Sequence, residues 1–193
     1  MYRWIAMFAY AGLRTARFET PLGAMRLVAD PQGALLRLDF EEDAVHGLAP
    51  SQLAGLVDDP SLAGPVQAQL EDYFEGRRQD FDLPLGLHGT EFQRQVWQAL
   101  RTIPYGQTWT YGQMAEHLGR PKAMRAVGQA CGLNPICVVV PCHRVQGADG
   151  GLTGFSSGLH RKATLLHFER RVRACGQGRI HDSLPSQLEL DLL

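Results

Sequence analysis

One segment of the sequence places a cysteine and a histidine directly after a run of β-branched residues. Residues 134–147 read NPICVVVPCHRVQG, so Cys142 and His143 follow Pro141 at once. A cysteine attacks as the thiolate, and an imidazole can take the proton of the thiol. Adjacent side chains of an extended chain point to opposite faces, so His143 reaches Cys142 only around a bend or through a water. Proline restricts the residue before it, and Pro141 therefore favours a bend. Taken alone, the pair also fits a buried structural cysteine beside a surface histidine.

The other cysteines give no support to a metal site or a redox motif. The chain has four, Cys131, Cys137, Cys142 and Cys175, and no two of them form a C-x-x-C pair. A disulfide framework is not expected in a chain of 193 residues with so few cysteines. We expect reduced thiols in a cytosolic protein, with Cys131 and Cys137 as small core residues and Cys175 as an exposed thiol.

Charge is distributed unevenly along the chain. Residues 1–86 hold 7 basic and 13 acidic side chains, whereas residues 87–175 hold 11 basic and 4 acidic ones. This asymmetry indicates that the second half meets a polyanion, with chance clustering as the alternative.

The sequence predicts neither a membrane span nor a signal peptide. No apolar run approaches the length of about 18 residues that a membrane span needs. The start, MYRWIAMFAYAGL, has one early Arg and an apolar run that is short for a signal peptide. Met1 and Met7 are both candidate start residues.

The first half of the sequence predicts a small sheet followed by a helix. Alternating or apolar segments at 14–20, 24–30 and 34–40 are separated by turn residues, which predicts an antiparallel meander. Helical spacing of apolar residues then predicts a helix over 63–76. The loop at 77–89, rich in Pro and Gly, is the expected boundary between two domains.

The second half predicts several helices, two of them joined as a helix-turn-helix. Thr90 and Gln93 have the spacing of a capping box and begin a helix. Short helices at 110–119 and 120–134 are joined by a tight turn at a glycine, which is the helix-turn-helix pattern. The segment ICVVV, 136–140, predicts a short buried strand. A final helix over 159–174 is expected to bury four apolar residues, Leu159, Leu165, Leu166 and Phe168.

The motif PCHRV resembles the active-site signature of the O6-alkylguanine-DNA alkyltransferases, which repair alkylated guanine in DNA. The resemblance extends over most of residues 88–169, with Asn134 eight positions before Cys142 and Glu169 27 positions after it. TPLGAMRLVAD, near the start, resembles the amino-terminal domain of the family. The resemblance implies that Cys142 takes the alkyl group, that His143 is the base through a bound water, that Glu169 orients His143, and that Asn134 braces the turn.

The resemblance also implies how the protein would handle DNA. A base inside a duplex cannot present its O6 substituent to a sulfur, so it must be flipped out at a cost of a few kcal/mol. Tyr111 would help to rotate the nucleotide and would hydrogen-bond the base, and Arg125 would fill the gap left in the stack. The small residues near Arg125 would let the helix approach a groove closely; they are Ala123, Ala126 and Gly128.

The loop after the active cysteine is expected to bind the guanine. By resemblance, backbone groups of Cys142, Val145 and Ser156 hold the edge of the base. Phe155 stands where many relatives have Tyr, and Ser157 stands where many have Gly. Ser157 therefore adds bulk near the alkyl group, and the sequence leaves open which alkyl sizes fit and whether O4-alkylthymine is a substrate.

Together these features predict an α+β protein with three parts. They are a small antiparallel-sheet amino-terminal domain, ribonuclease-H-like, over 1–86; a mostly helical catalytic domain with the helix-turn-helix over 87–175; and a tail over 176–193. A thioether on sulfur is not readily reversed, so each molecule would act once and need no cofactor. Zinc-binding relatives use amino-terminal cysteines that this chain lacks, so no metal is expected. We expect a monomer that acts on double-stranded DNA in the bacterial cytoplasm, associated with the nucleoid.

The tail carries a separate motif. QLELDL resembles the short peptide with which bacterial repair and replication proteins dock on the sliding clamp, and Gln187, Leu188, Leu190 and Leu192 fit its pattern. A tail that packs on its own domain or stays disordered is the alternative.

Two other functions fit part of the sequence. A non-catalytic helix-turn-helix regulator or damage sensor explains the basic second half but not PCHRV and Glu169. A cysteine hydrolase explains Cys142, His143 and Glu169 but not the helix-turn-helix.

Overall fold

The computed structural model describes residues 12–42, 55–176 and 178–183. The first half forms a mixed sheet of four strands in the order β3-β2-β1-β4. The strands are β1 (Arg14–Phe18), β2 (Met25–Ala29), β3 (Leu35–Phe40) and β4 (Val57–Asp58). The predicted antiparallel meander is present as β1, β2 and β3. The short β4 pairs parallel to β1 and was not predicted, because two residues carry no detectable periodicity.

One helix covers this sheet. Helix α1 (Ala63–Phe74) buries Val66, Leu70, Tyr73 and Phe74, at the spacing that predicted it. It follows a 3₁₀ turn at Pro60–Leu62, which Asp59 caps by accepting a hydrogen bond from the backbone N–H of Ser61.

The second half is mostly helical. Its helices are α2 (Glu91–Leu100), α3 (Tyr111–His117), α4 (Met124–Gly132) and α5 (Leu159–Cys175). Both α2 and α3 begin with a complete capping box, from Thr90 and Thr110 respectively. The box at Thr90 was predicted from its spacing to Gln93. Helices α3 and α4 pack together as the helix-turn-helix. Two short parallel strands, β5 (Trp109–Thr110) and β6 (Val145–Gln146), join the start of α3 to the end of the PCHRV segment.

The prediction of a strand at ICVVV is wrong. These residues are buried, but only Ile136 makes a β-bridge, with Leu38, and the rest form turns. Val138 has φ of 70°, a conformation that β-branched residues rarely adopt. The side-chain amide of Asn134 forms hydrogen bonds with Ile136 and Val140, the two ends of the segment, and holds it in this form. The strand propensity of the segment could not reveal these contacts.

The prediction for the buried face of the last helix is wrong at one position. Leu165, Leu166 and Phe168 are buried, but Leu159 is 37% exposed. The helix instead buries charged residues with its apolar ones, including Lys162 and Glu169.

The two halves share one continuous hydrophobic core. The backbone of strand β3 forms hydrogen bonds with the segment that precedes the PCHRV motif. Leu38 donates to the carbonyl of Pro135 at 2.9 Å, and Cys137 donates to the carbonyl of Leu38 at 2.8 Å. Within the described residues, no helix is both long and apolar enough to cross a membrane.

Candidate active site

The chain bends at Pro141, as the sequence led us to expect. Pro141 has φ of −82° and ψ of 63°, and Cys142 donates from its backbone N–H to the carbonyl of Val140 at 2.8 Å. This is the geometry of an inverse γ-turn. A 3₁₀ turn follows at Cys142–Arg144 and buries all three side chains.

The amide of Asn134 closes this bend. Its Oδ1 accepts from the backbone N–H of Ile136 at 3.1 Å, and its Nδ2 donates to the carbonyl of Val140 at 2.7 Å. The same Nδ2 lies 3.1 Å from Cys142 Sγ. Asn134 therefore braces the turn and donates a hydrogen bond to the thiol.

The thiol of Cys142 is held in its protonated form in the free protein. Burial raises its pKa, while the hydrogen bond from Asn134 and the positive charge of Lys162 oppose the shift. Only 6% of Cys142 is exposed. Formation of the thiolate therefore needs a base within the site.

His143 contacts Glu169 and can act as that base. Nε2 of His143 lies 2.9 Å from Oε1 of Glu169, and both side chains are fully buried. An ionised carboxylate only accepts hydrogen bonds, so Nε2 carries the proton and Nδ1 holds the free electron pair. Nδ1 is buried and has no hydrogen-bond partner among the described residues. Burial lowers the pKa of His143 despite the opposing charge of Glu169, so the imidazole is neutral near pH 7.

Glu169 accepts hydrogen bonds from four residues, which lie in three separate segments of the chain. Besides His143, it accepts from Tyr73 Oη at 2.7 Å, from the backbone N–H of Gly106 at 2.9 Å, and from Nε and Nη2 of Arg144 at 2.9 to 3.1 Å. Burial alone would raise the pKa of Glu169, but the opposing effects of His143 and Arg144 lower it to about 2. The carboxylate is therefore ionised at all physiological pH values.

Two of these donors depend on the loop after α2. Gly106 has φ of 69°, and a Cβ there would lie 2.9 Å from the backbone oxygen of Glu169, so the close approach requires glycine. Arg144 also donates to the carbonyl of Ile103 at 2.8 Å, and its guanidinium lies 5.5 Å from the centroid of the Tyr105 ring.

Lys162 is a buried cation whose charge acts on the thiol of Cys142. Its ammonium donates to the carbonyls of Val145 and Thr153, both at 2.6 Å. Burial lowers its pKa. It ties α5 to strand β6 and to the loop that follows it.

Tyr111 is the first residue of α3 and faces the same loop. Its hydroxyl donates to the carbonyl of Thr153 at 3.3 Å. A Cβ at Gly154 would lie 2.7 Å from that hydroxyl, and one at Gly128 would lie 3.7 Å from the ring. Tyr111 thus lies between α4 and the loop, and burial raises its pKa.

The loop residues singled out in the sequence differ in their surroundings. Phe155 is buried, with its ring centroid 6.5 Å from that of His143. Ser157 is buried, with Oγ 3.5 Å from Sγ of Cys137. Ser156 is half-buried, and Val145 is fully buried in β6.

The first turn of α4 presents a different surface. Arg125 and Ala126 are exposed, Ala123 and Gly128 are half-buried, and Arg125 makes no hydrogen bond or ion pair with any described residue. Its guanidinium is therefore available to a partner.

The structure brings together four of the residues predicted from the sequence, Cys142, His143, Asn134 and Glu169. Sequence reasoning assigned no role to three residues that bind Glu169, namely Tyr73, Gly106 and Arg144, or to Lys162, whose charge acts on the thiol of Cys142. A signal existed for Lys162, because 162, 165, 166 and 169 share one helical face with two leucines. No comparable signal pointed to Tyr73. Among the described residues, no group of three or more His, Cys, Asp and Glu side chains could hold a metal.

Fold and site together define a class of protein: a helix-turn-helix domain that carries a buried cysteine–histidine–glutamate array beside a small mixed sheet. Residues 91–171 match the DNA binding domain of 6-O-methylguanine DNA methyltransferase, and residues 13–87 match its ribonuclease-like domain. The chain belongs to the 6-O-methylguanine DNA methyltransferase family. The resemblance found in PCHRV and the expected α+β fold are thereby confirmed.

Relatives from distant organisms share most of the chain. Proteins named methylated-DNA–protein-cysteine methyltransferase are 49% identical in Mycolicibacterium paratuberculosis, over 79% of this chain and 90% of theirs, and 46% identical in Methanosarcina acetivorans, over 80% and 96%. The crystal structure of Mycobacterium tuberculosis OGT in complex with DNA has a TM-score of 0.74 and 41% identity, over 82% of this chain and 93% of that one. The O6-methylguanine methyltransferase of the same organism has a TM-score of 0.73 and 38% identity, over 92% and 98%.

Proposed function

We propose that this protein repairs alkylated DNA by moving the alkyl group from O6 of guanine to the sulfur of Cys142. The carbon–sulfur bond forms as the carbon–oxygen bond breaks, and the electron pair of the broken bond goes to the guanine. The thioether is stable, so each molecule acts once. The observation that carries this proposal is the buried Cys142 thiol, bonded to Asn134 and adjacent to the His143–Glu169 pair, in a domain with a helix-turn-helix.

His143 is the proposed base. Glu169 keeps the proton of the neutral imidazole on Nε2, so Nδ1 accepts the proton of the thiol through one water. Lys162 and Asn134 stabilise the thiolate that results, because one supplies positive charge and the other a hydrogen bond.

The departing guanine needs donors along its edge. Tyr111 is the proposed side-chain donor, because its hydroxyl keeps its proton and reaches the loop at Thr153. Backbone groups of Cys142, Val145 and Ser156 would hold the base. Phe155 and Ser157 would line the space for the alkyl group.

The proposed DNA surface is the first turn of α4. Arg125 is exposed and unpaired within the described residues, so it can enter the stack when the base leaves. The small residues at and beside this turn would let the backbone approach the groove, and they are Ala123, Ala126 and Gly128. This surface lies within residues 87–175, the part of the chain with an excess of basic residues.

Intact mass of the protein tests the proposed chemistry. The protein is mixed with duplex DNA that contains one O6-methylguanine, and a gain of one methyl is expected. Cys142→Ala should bind the DNA but gain no mass, since the helix-turn-helix is unchanged. A regulator would bind without gaining mass, and a hydrolase would not retain the methyl group. Unmodified wild-type protein beside persistent lesion would overturn the proposal.

We further propose that the chain divides into two domains, 1–86 and 87–175, and a tail, 176–193. We also propose that the protein is a monomer and that it lies in the cytoplasm near the nucleoid. Four cysteines free of disulfides and a substrate within the chromosome support this location. Sedimentation velocity with and without DNA tests the monomer, and a dimer in both conditions would contradict it.

The carboxy-terminal motif remains a proposal for docking on the sliding clamp. Gln187, Leu188, Leu190 and Leu192 lie outside the described residues. The segment before them packs on α5, where Ile180 is fully buried and Asp182 pairs with Arg171. A truncation after Ser183 therefore removes the motif and keeps this packing. Purified clamp should retain the full chain and release the truncated one, and equal loss of both would end the idea.

A further inference from the structure

Tyr73 lies on α1, in the half of the chain that carries no proposed catalytic group, yet it contacts the catalytic carboxylate. Its hydroxyl donates to Oε1 of Glu169 at 2.7 Å across 96 positions of sequence. Both side chains are fully buried, so water does not compete for this bond.

The contact falls on the oxygen that faces the imidazole. His143 Nε2 and Tyr73 Oη both approach Oε1 of Glu169, at 2.9 and 2.7 Å. The position and charge of this oxygen decide how firmly His143 holds its proton. Burial raises the pKa of Tyr73 well above its ordinary value, so the hydroxyl donates at every working pH.

The ring of Tyr73 is fixed by its neighbours. Its centroid lies 5.3 to 5.9 Å from those of four aromatic rings, most of them edge to face: Phe74, Phe81, Tyr105 and Phe168. Phe74 and Phe81 belong to residues 1–86, whereas Tyr105 and Phe168 belong to residues 87–175. The hydroxyl is therefore held in place by both halves of the protein.

We propose that Tyr73 is a positioning residue for the alkyl transfer, through which the amino-terminal half fixes Glu169 and thereby orients His143. The inference rests on the proposed function and extends it, since it makes the first half of the chain part of the catalytic array. The sheet and α1 then do more than support the second half.

The chain offers a matched control in Tyr105. Its ring contacts that of Tyr73, and it is also buried, but its hydroxyl has no hydrogen-bond partner among the described residues. Tyr73→Phe and Tyr105→Phe thus remove the same atom from the same aromatic cluster, and only the first removes a bond to Glu169.

The test measures methyl transfer under single-turnover conditions from pH 5 to 9. Loss of a hydrogen bond to a charged group predicts that Tyr73→Phe is slower by roughly tenfold at pH 7. With one donor fewer, Glu169 attracts the imidazolium more strongly, so the acid limb of the profile should move to higher pH. Tyr105→Phe should keep the rate and the profile of the wild type. If both variants showed the same transfer rate at pH 7 and the same acid limb of the pH profile, the proposal would be overturned.

A second measurement separates this inference from the proposed function. The titration of His143 is followed by ¹⁵N NMR without DNA, with the signal assigned by its loss in His143→Gln. Its midpoint should rise in Tyr73→Phe and stay unchanged in Tyr105→Phe. If wild-type protein transfers no methyl, the proposed function fails, and the NMR midpoint still decides the role of Tyr73; an unmoved midpoint in Tyr73→Phe rejects that role.

Discussion

Asn134 and Cys142 are joined by a hydrogen bond of 3.1 Å from Nδ2 to Sγ, and the same amide holds the turn between them. One side chain therefore shapes the backbone that presents the thiol and also tunes the thiol itself. The edge of the sheet supports this arrangement from behind, where Leu38 bonds the backbone of Pro135 and Cys137. The reactivity of the Cys142 thiol and the folding of the turn that presents it therefore both depend on Asn134.

Asn134→Ala should lower both stability and transfer. It leaves the buried N–H of Ile136 without a partner and removes one of the two hydrogen bonds to the carbonyl of Val140, which predicts a loss of roughly 2–4 kcal/mol of unfolding free energy. Asn134→Asp keeps the acceptor for Ile136 but cannot donate to the thiol, so it should recover part of the stability and little of the transfer. Urea unfolding and single-turnover transfer measure the two effects. Wild-type transfer in Asn134→Asp would contradict the role of the donor.

Acid should unfold the protein through Glu169. Its pKa is about 2 in the folded protein against 4.5 for a free side chain. A lowered carboxyl pKa contributes stability that is fully present above pH 4.5 and is lost as pH falls toward 2, by about 3 kcal/mol. The lowered pKa of His143 acts in the same direction, because unfolding below pH 6.5 takes up a proton. Unfolding free energy measured from pH 7 to 3 should therefore fall steadily. Glu169→Gln, less stable at pH 7, should show a flatter fall, and equal slopes would refute this account.

Lys162→Met should loosen the loop that follows β6. The variant keeps the apolar stem but removes two charge-assisted bonds, to Val145 and Thr153, at a predicted cost of roughly 2–4 kcal/mol. Lys122 is the other lysine of the sequence and is exposed, so Lys122→Met is the matched control and should cost little. Hydrogen exchange over residues 147–158 should quicken in Lys162→Met alone. Equal exchange in the two variants would show that the buried ammonium does not hold the loop.

Much of this architecture could be predicted from local sequence. The capping box at Thr90 and the apolar spacing of α1 depend on residues close in the chain, and both predictions were confirmed. The bend at Pro141 also followed from its neighbours. Interactions between residues that are close in sequence determine these elements.

Contacts between distant segments could not be predicted in this way. The segment ICVVV has the composition of a strand, but Asn134 and the edge of β3 hold it as buried turns. Tyr73 had the pattern of an ordinary core residue, and only its placement opposite Glu169 reveals its bond. A family resemblance assigned roles near Cys142 but not the donors that converge on the carboxylate.

Arg125→Ala should slow repair of duplex DNA but not of single strands. Without the guanidinium, nothing fills the gap left by the flipped base, whereas a single strand has no such gap. Lys122→Ala removes one positive charge three positions earlier, and Lys122 is also exposed. Both variants should lose a similar amount of the salt dependence of binding. The ratio of duplex to single-strand transfer rates should fall only in Arg125→Ala, and an unchanged ratio would remove Arg125 from the flipping step.

Ser157→Gly should widen the range of alkyl groups that the protein accepts. Oγ of Ser157 lies 3.5 Å from Sγ of Cys137, so the loop meets the turn before Cys142 at this pair. Removing the hydroxymethyl group opens space there, while the backbone carbonyl of residue 157 keeps its bond from Arg161 at 3.0 Å and preserves the start of α5. The rate for O6-benzylguanine relative to O6-methylguanine in duplex DNA should therefore rise. Cys137→Ala enlarges the same space from the other side and should act in the same direction. Since the two side chains are in contact, the effects should not add in the double variant. An unchanged ratio in both single variants would place the alkyl group away from this pair.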